Sequence, residues 1–198
     1  MVREDNKTKY LTKVAMLSAI AVLLMYIEVP VPLMPGFLKL DASELPAVIG
    51  AFALGPLGGI WIEMIKNLLH GMNSQTMGIG ETANFLVGVS FVVPSSLLYR
   101  RSRTTKGAIL ALTAGTMTMV FTASLLNYFV LLPLYQLALH FPLEKVVALG
   151  SAANPKVVDL ASFIAWAIAP FNLLKGVAVS LLTLAVYRRV APIVCQRG

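Results

Sequence analysis

LASFIAWAIAPFNLLKGVAVSLLTLAVY, residues 160–187, carries one formal charge, Lys175. A run of about 20 apolar residues crosses the roughly 30 Å hydrocarbon core of a bilayer, and this run is longer. Near its middle lies PFNLLKG, residues 170–176, where a helix-bending Pro170 and an amide, Asn172, precede the lysine. An ammonium held at such depth costs at least ~2–3 kcal/mol unless it finds partners or water. The stretch therefore reads as a membrane helix, and its lysine needs a reason to be there.

Similar runs recur along the chain. Of its 198 residues 58% are hydrophobic and only 13% charged, too few charges for a soluble domain of this size. Six spans are expected, at about residues 10–28, 43–54, 57–70, 80–99, 107–134 and 160–187. The second and third are short and are divided by the Gly55-Pro56 pair. The runs are continuously apolar, whereas barrel strands alternate, so helices are favoured. The expected fold is an all-α integral membrane protein, a six-transmembrane-helix bundle forming a single membrane domain over residues 1–198. Two connecting loops are long: Val29 to Ala42, which holds the proline-rich VPVPLMPG (29–36), and Tyr135 to Val158. Within the latter, FPLEKVVALG (141–150) reads as a short interfacial helix. Long loops on one face of a bundle form lids or binding rims.

Orientation follows from the basic residues. Arg3, Lys7, Lys9 and Lys13 precede the first span, Arg100, Arg101, Arg103 and Lys106 lie between the fourth and fifth, and Arg188, Arg189 and Arg197 follow the sixth. With six spans all three groups fall on one side, which the positive-inside rule makes the cytoplasm, so both termini are expected there. The net charge of +7 is thus a topology signal with some attraction for anionic membrane lipid, and no nucleic-acid partner is expected. The polar N-terminal segment MVREDNKTKY is not followed by a signal-peptide cleavage pattern. The one cysteine, Cys195, forms no internal disulfide and has no metal-ligand cluster around it. Neither HExxH, GxSxG nor GxxxxGK[ST] is present, so catalytic residues, a bound metal and ATP hydrolysis by this chain are not expected.

Depth places the polar groups. Lys175 lies twelve residues from Tyr187, roughly 18 Å into the membrane, and Asn172 roughly 24 Å. Three residues apart, they share a helix face. Asn127, in the fifth span, lies roughly 30 Å from that span's inner end. The three converge in the outer half, beneath the long loops. Lys175 either pairs with a carboxylate or snorkels, with Asn172 joining two helices, or the group forms a ligand site open to the outside. In EMIKNLLH (63–70) Glu63 and Lys66 are three apart and can pair within one helix. Glu81 and Asn84 open the fourth span and either cap it or line the site. In the first span Ala15, Ser18 and Ala19 form a small-residue stripe that serves either internal packing or docking of a partner.

Taken together, FLKLDASELPA (37–47), GAFALGPLGG (50–59), KNLLH (66–70), ANF (83–85), LLNYFVLLPLY (125–135), PFNLLKG (170–176) and YRR (187–189) resemble the riboflavin-specific S component, the substrate-binding membrane subunit, of the energy-coupling factor (ECF) vitamin transporters. The resemblance runs from about Tyr10 to Arg189. It implies a six-helix bundle in a prokaryotic plasma membrane with both termini cytoplasmic. It also implies one flavin bound at the outer face and delivery through a transmembrane T component coupled to two ATPase subunits. The family's alanine motif matches Ala15 and Ala19, and its flavin-binding polar residues match Asn127, Asn172 and Lys175. The loop FLKLD (37–41) would cover the ligand, with Phe37, Leu38 and Leu40 sealing the ring from water, and Asn84 is placed with the substrate-binding set. Glu63 and Glu81 carry no family role. An asparagine amide and a lysine ammonium suit the mixed donor and acceptor edge of a flavin.

The expected function is therefore capture of riboflavin at the extracellular face, with FMN as an open second substrate, and the ligand is cargo rather than a cofactor. Three rivals stand beside it: an S component for another vitamin, a small membrane enzyme acting on a lipid head group, and a purely structural subunit. Removing Lys175 is expected to weaken flavin binding while leaving folding little affected.

Overall fold

The computed structural model describes residues 2–194 apart from Leu33, Gly36, Phe37, Gln75 and Phe141, with side chains described between Asn6 and Val186 except Leu139. Phe37 and Cys195, singled out in the sequence, lie outside the described residues.

The first helix, α1 (Val2–Met25), ends where the proline-rich loop begins. Two short strands follow, β1 (Val29–Pro30) and β2 (Lys39–Leu40), paired antiparallel with Val29 opposite Leu40. Lys39 and Glu28 close this hairpin with an ion pair at 2.6 Å, an exposed contact worth at most ~1 kcal/mol. The short spans become α2 (Glu44–Leu54) and α3 (Pro56–Gly71). Gly55, at φ +93°, makes a turn open to glycine at little cost, and Pro56 sits at the first helical position, where a missing N–H is harmless. The two helices lie side by side as a hairpin. Its turn lies against Arg100, at the end of the bundle where α4 (Ile79–Arg101) finishes and α5 (Thr105–Leu126) starts. The Thr104 hydroxyl caps α5 by accepting from the Gly107 N–H at 3.1 Å.

The last two long helices are not pure α-helix. A π turn, Asn127–Leu131, joins α5 to α6 (Leu132–Leu139), and a second, Ile164–Ile168, joins α8 (Leu160–Phe163) to α9 (Ala169–Val194). In each case a proline follows two residues later, Pro133 and Pro170. A proline ring cannot donate and crowds the carbonyl four residues back, and a widened π turn absorbs that conflict without breaking the rod. Asp159 starts the second rod with a capping box, accepting the Ser162 N–H at 2.7 Å while the Ser162 hydroxyl accepts the Asp159 N–H.

Counted as continuous rods, the described residues form seven helices, one more than the six expected spans. The addition is α7 (Leu143–Ala153), in the segment read as an interfacial helix. At 11 residues it is about 16 Å long and too short to cross. Among the described residues four runs are long and apolar enough to span a bilayer: Asn6–Met25, Ile79–Arg101, Thr105–Ala138 and Leu160–Val186.

The outside of the bundle confirms its solvent. Leu11, Met16, Leu23, Leu110, Phe121 and Leu181 are largely exposed, a distribution no soluble monomer carries. The core holds Phe91, Val92, Tyr99, Leu112, Met119 and Phe163, with the Tyr99 ring stacked on Phe52 at 4.1 Å. Small residues bring the rods together. A Cβ on Gly115 would overlap Ser95 Oγ and lie 2.6 Å from the Phe91 carbonyl oxygen, a backbone atom that moves only with its helix. Gly115→Ala is expected to cost about 1–3 kcal/mol by overpacking, read as a lowered thermal midpoint in detergent. An unchanged midpoint would mean that α4 and α5 part without cost.

Candidate functional site

The α2–α3 hairpin carries charge into the middle of the bundle. Glu44 begins α2, eleven residues before the turn at Gly55, and Lys66 lies eleven residues after it, so both sit roughly 16 Å from that end. Lys175, read at roughly 18 Å on α9, reaches the same level. Lys66 Nζ lies 3.2 Å from Glu44 Oε1 and 3.1 Å from Glu63 Oε2, and donates to Ser43 Oγ at 2.8 Å. Lys175 Nζ lies 2.9 Å from Glu44 Oε1 and 3.0 Å from Asp41 Oδ2, and donates to Asn84 Oδ1 at 3.3 Å. Glu44, at 1% exposure, bridges the two lysines.

Three carboxylates thus face two ammoniums. Glu63 Oε1, fully buried, makes no hydrogen bond among the described residues. Asp41 belongs to the loop before α2, and its Oδ1 accepts the Ser43 N–H at 2.8 Å. Burial alone would raise the Asp41 carboxyl. The ammoniums of Lys175 and Lys66, with the Ser43 hydrogen bonds, outweigh burial and hold it well below the usual carboxylate range.

Asparagines extend the network away from the Gly55 turn. Asn84 Nδ2 donates to Asn67 Oδ1 at 3.0 Å, and Asn67 Nδ2 donates to the Glu63 carbonyl at 2.8 Å. Asn172, buried one turn beyond Lys175, donates to the Ile168 carbonyl at the end of the second π turn. Asn127, half-buried at the start of the first π turn, donates to the Ala123 carbonyl. The two π turns touch. Asn127 and Asn172 therefore each spend one amide hydrogen on their own helix and keep an oxygen acceptor and a second hydrogen for other groups. Leu38 is buried in the core, and Leu40 is packed against it.

Asn84 and Lys175, singled out in the sequence, are in direct contact, and Asn172 lies on the same helix face. The expected Glu63–Lys66 pair is formed within α3. Glu81 serves the other end of α3: it accepts from Ser74 at 2.7 Å and Thr76 at 3.3 Å, and lies 3.2 Å from His70 Nδ1. It fastens the turn between α3 and α4. Among the described residues no cluster of three His, Cys, Asp or Glu side chains is placed to hold a metal.

One expectation is corrected. Removal of Lys175 is not expected to spare folding once its partners are seen, because it pairs with buried Glu44 and partly buried Asp41. Asp41 and Glu44 were not read as site residues. Their signal lies in FLKLDASELPA, where two acids three residues apart enter an apolar run and the one lysine beside them, Lys39, pairs with Glu28 instead.

On the first helix Ser18 points inward, 2% exposed, while Ala15 and Ala19 are exposed. The small stripe is therefore divided between an inner and an outer face.

A family model described as "ECF transporter, substrate-specific component" matches residues 9–187. The chain belongs to that family. It is similar to the "Riboflavin transporter RibU" of Staphylococcus aureus (strain TCH60), 38% identical over 186 residues covering 94% of this chain and 92% of the relative. It is also similar to the "Riboflavin transporter FmnP" of Bacillus subtilis (strain 168), 35% identical over 194 residues covering 96% of both. A solved structure described as "Structure and mechanism of the S component of a bacterial ECF transporter" superposes with a TM-score of 0.75 at 35% identity, covering 96% of this chain and 99% of that one. An S component is a transporter subunit and not an enzyme, and what it binds is cargo. The buried charge cluster therefore belongs to a transporter subunit.

Proposed function

We propose that this chain is the substrate-binding subunit of an ECF-type importer, capturing riboflavin at the extracellular face and passing it on through a transmembrane T component and two ATPase subunits. The observation that carries the reading is the near full-length likeness to two relatives each named a riboflavin transporter. In this reading residues 1–198 form one multi-pass domain of the cell membrane. Six helical rods cross, α2 and α3 as a half-buried pair, and α7 lies at the outer surface. Both termini are cytoplasmic, because the basic residues of α1, of the α4–α5 turn and of the C-terminal segment then share one side.

Asn127, Asn172 and Lys175 contact the flavin edge, and Asn84 supports Lys175 from the side. Leu38 and Leu40 shield the ring, and Phe37 belongs to the same covering loop. Ala15 and Ala19 face the T component, which their outward placement supports. Ser18 stays with internal packing.

The test is the absorption spectrum of protein purified in detergent, followed by riboflavin titration of flavin-stripped protein. Retained flavin bands and saturable quenching of riboflavin fluorescence are the expected results. A folded protein that neither retains flavin nor quenches added riboflavin would reject the reading, and preferential binding of another vitamin would redirect it.

A further inference from the structure

A lysine ammonium has three hydrogens to donate, and in this structure Lys175 faces three acceptors: Glu44 Oε1 at 2.9 Å, Asp41 Oδ2 at 3.0 Å and Asn84 Oδ1 at 3.3 Å. It hydrogen-bonds Asp41 and Asn84, and the Glu44 carboxylate lies against it as an ion pair. A substrate acceptor that reaches Lys175 competes with these three groups for the ammonium.

The three are not equally held. Glu44 is 1% exposed in the first turn of α2, and the same oxygen that meets Lys175 lies 3.2 Å from Lys66. Withdrawing it would leave two buried ammoniums short of a counter-ion, an outcome that a low-dielectric interior penalises heavily. Asn84 sits within the long helix α4 and is tied to Asn67 at 3.0 Å. Asp41 lies on the loop before α2, where its other carboxylate oxygen is held by the Ser43 N–H. Displacing it moves a loop side chain and no helix.

We propose that Glu44 is a positioning residue that fixes the Lys175 ammonium for the substrate, and that Asp41 occupies the place on that ammonium which a substrate acceptor takes. This rests on the reading of Lys175 as a substrate donor. Lys66 and Glu63 complete the device: Lys66 holds Glu44 from behind, and Glu63 balances Lys66. Ligand entry and the Asp41–Lys175 contact are then mutually exclusive. The protein's apparent affinity is lowered by the fraction of time Asp41 spends on the lysine.

The experiment is riboflavin titration by flavin fluorescence on the purified full chain, with thermal midpoints of each variant measured without flavin. Glu44→Gln keeps the size of the side chain and is expected to weaken binding about ten- to a hundredfold in the wild-type background. In a Lys175→Met background it should cost little more, because Glu44 acts through Lys175. Asp41→Asn removes the competing charge and leaves two carboxylates against two ammoniums. It is expected to tighten binding about three- to tenfold. The positioning role is overturned if Glu44→Gln costs the same factor with and without Lys175. The exchange role is overturned if Asp41→Asn weakens binding. Should either Glu44 variant fail to fold, Asp41→Asn still decides the exchange. A wild-type protein that binds no riboflavin rejects the functional reading itself and this proposal with it, whereas normal wild-type binding with an additive cycle rejects only the positioning.

Discussion

Lys175→Met is expected to destabilise the bundle by about 3–5 kcal/mol in the absence of flavin, besides removing most of its affinity for the substrate. The lysine lies 3.0 Å from Asp41 and 2.9 Å from Glu44, and all three side chains are at most 10% exposed. Its removal leaves buried Glu44 and Glu63 and partly buried Asp41 with Lys66 as the one ammonium near them among the described residues. Such stranding costs more than the lost pair itself, because an uncompensated charge must either be desolvated or take up a proton. Thermal unfolding in detergent, beside riboflavin titration of the same preparation, reads both effects. Adding Asp41→Asn to Lys175→Met should recover part of the stability and none of the affinity. A Lys175→Met protein as stable as wild type would show that water reaches these acids and that the ion pairs are incidental to folding.

The second large effect concerns the opposite property, transport without loss of binding. Ala15→Trp and Ala19→Trp are each expected to reduce riboflavin uptake in cells to near background while leaving the affinity of the purified chain almost unchanged. Both alanines are exposed on α1, whereas the charge cluster is built from the α2–α3 hairpin, α4 and α9. Small residues let helices approach closely in lipid, and an indole at that position holds a docking partner away. If the Trp variants bind flavin poorly, these residues pack within the bundle after all.

The hydrophobic runs predicted the helices because a bilayer demands length and continuity, and both are local properties. The Glu63–Lys66 pair was legible for the same reason: three residues apart on one helix, its geometry is fixed by the helix itself. The partner of Lys175 was not. Asp41 lies 134 residues away in sequence, and no local rule joins a loop acid to a lysine of the last helix. The cost of an isolated intramembrane ammonium does imply that a counter-ion exists, yet Glu28, Asp41, Glu44, Glu63 and Glu81 all qualify until the fold brings two of them within reach. The π turns were half visible. Pro133 and Pro170 announce a conflict with the backbone, but not whether the helix answers with a kink or with a wider turn.

Those two wide turns give the membrane rods something that insertions and deletions normally find only in loops. A π turn closes one residue further along the chain than an α turn, so each rod stores one residue of slack at the level of its asparagine. Losing that residue converts the turn to ordinary α-helix and rotates everything beyond it by about 100°, the angle of a single residue in a helix turning every 3.6 residues. The segment before it is left in place. In a lineage of such proteins the lengths of these two helices can therefore change one residue at a time inside the membrane. Each change re-aims one end of its rod, Leu132–Leu139 in the first and Leu160–Phe163 in the second, against a fixed remainder. That end of the bundle can drift in shape while the half that carries the lysine keeps its register.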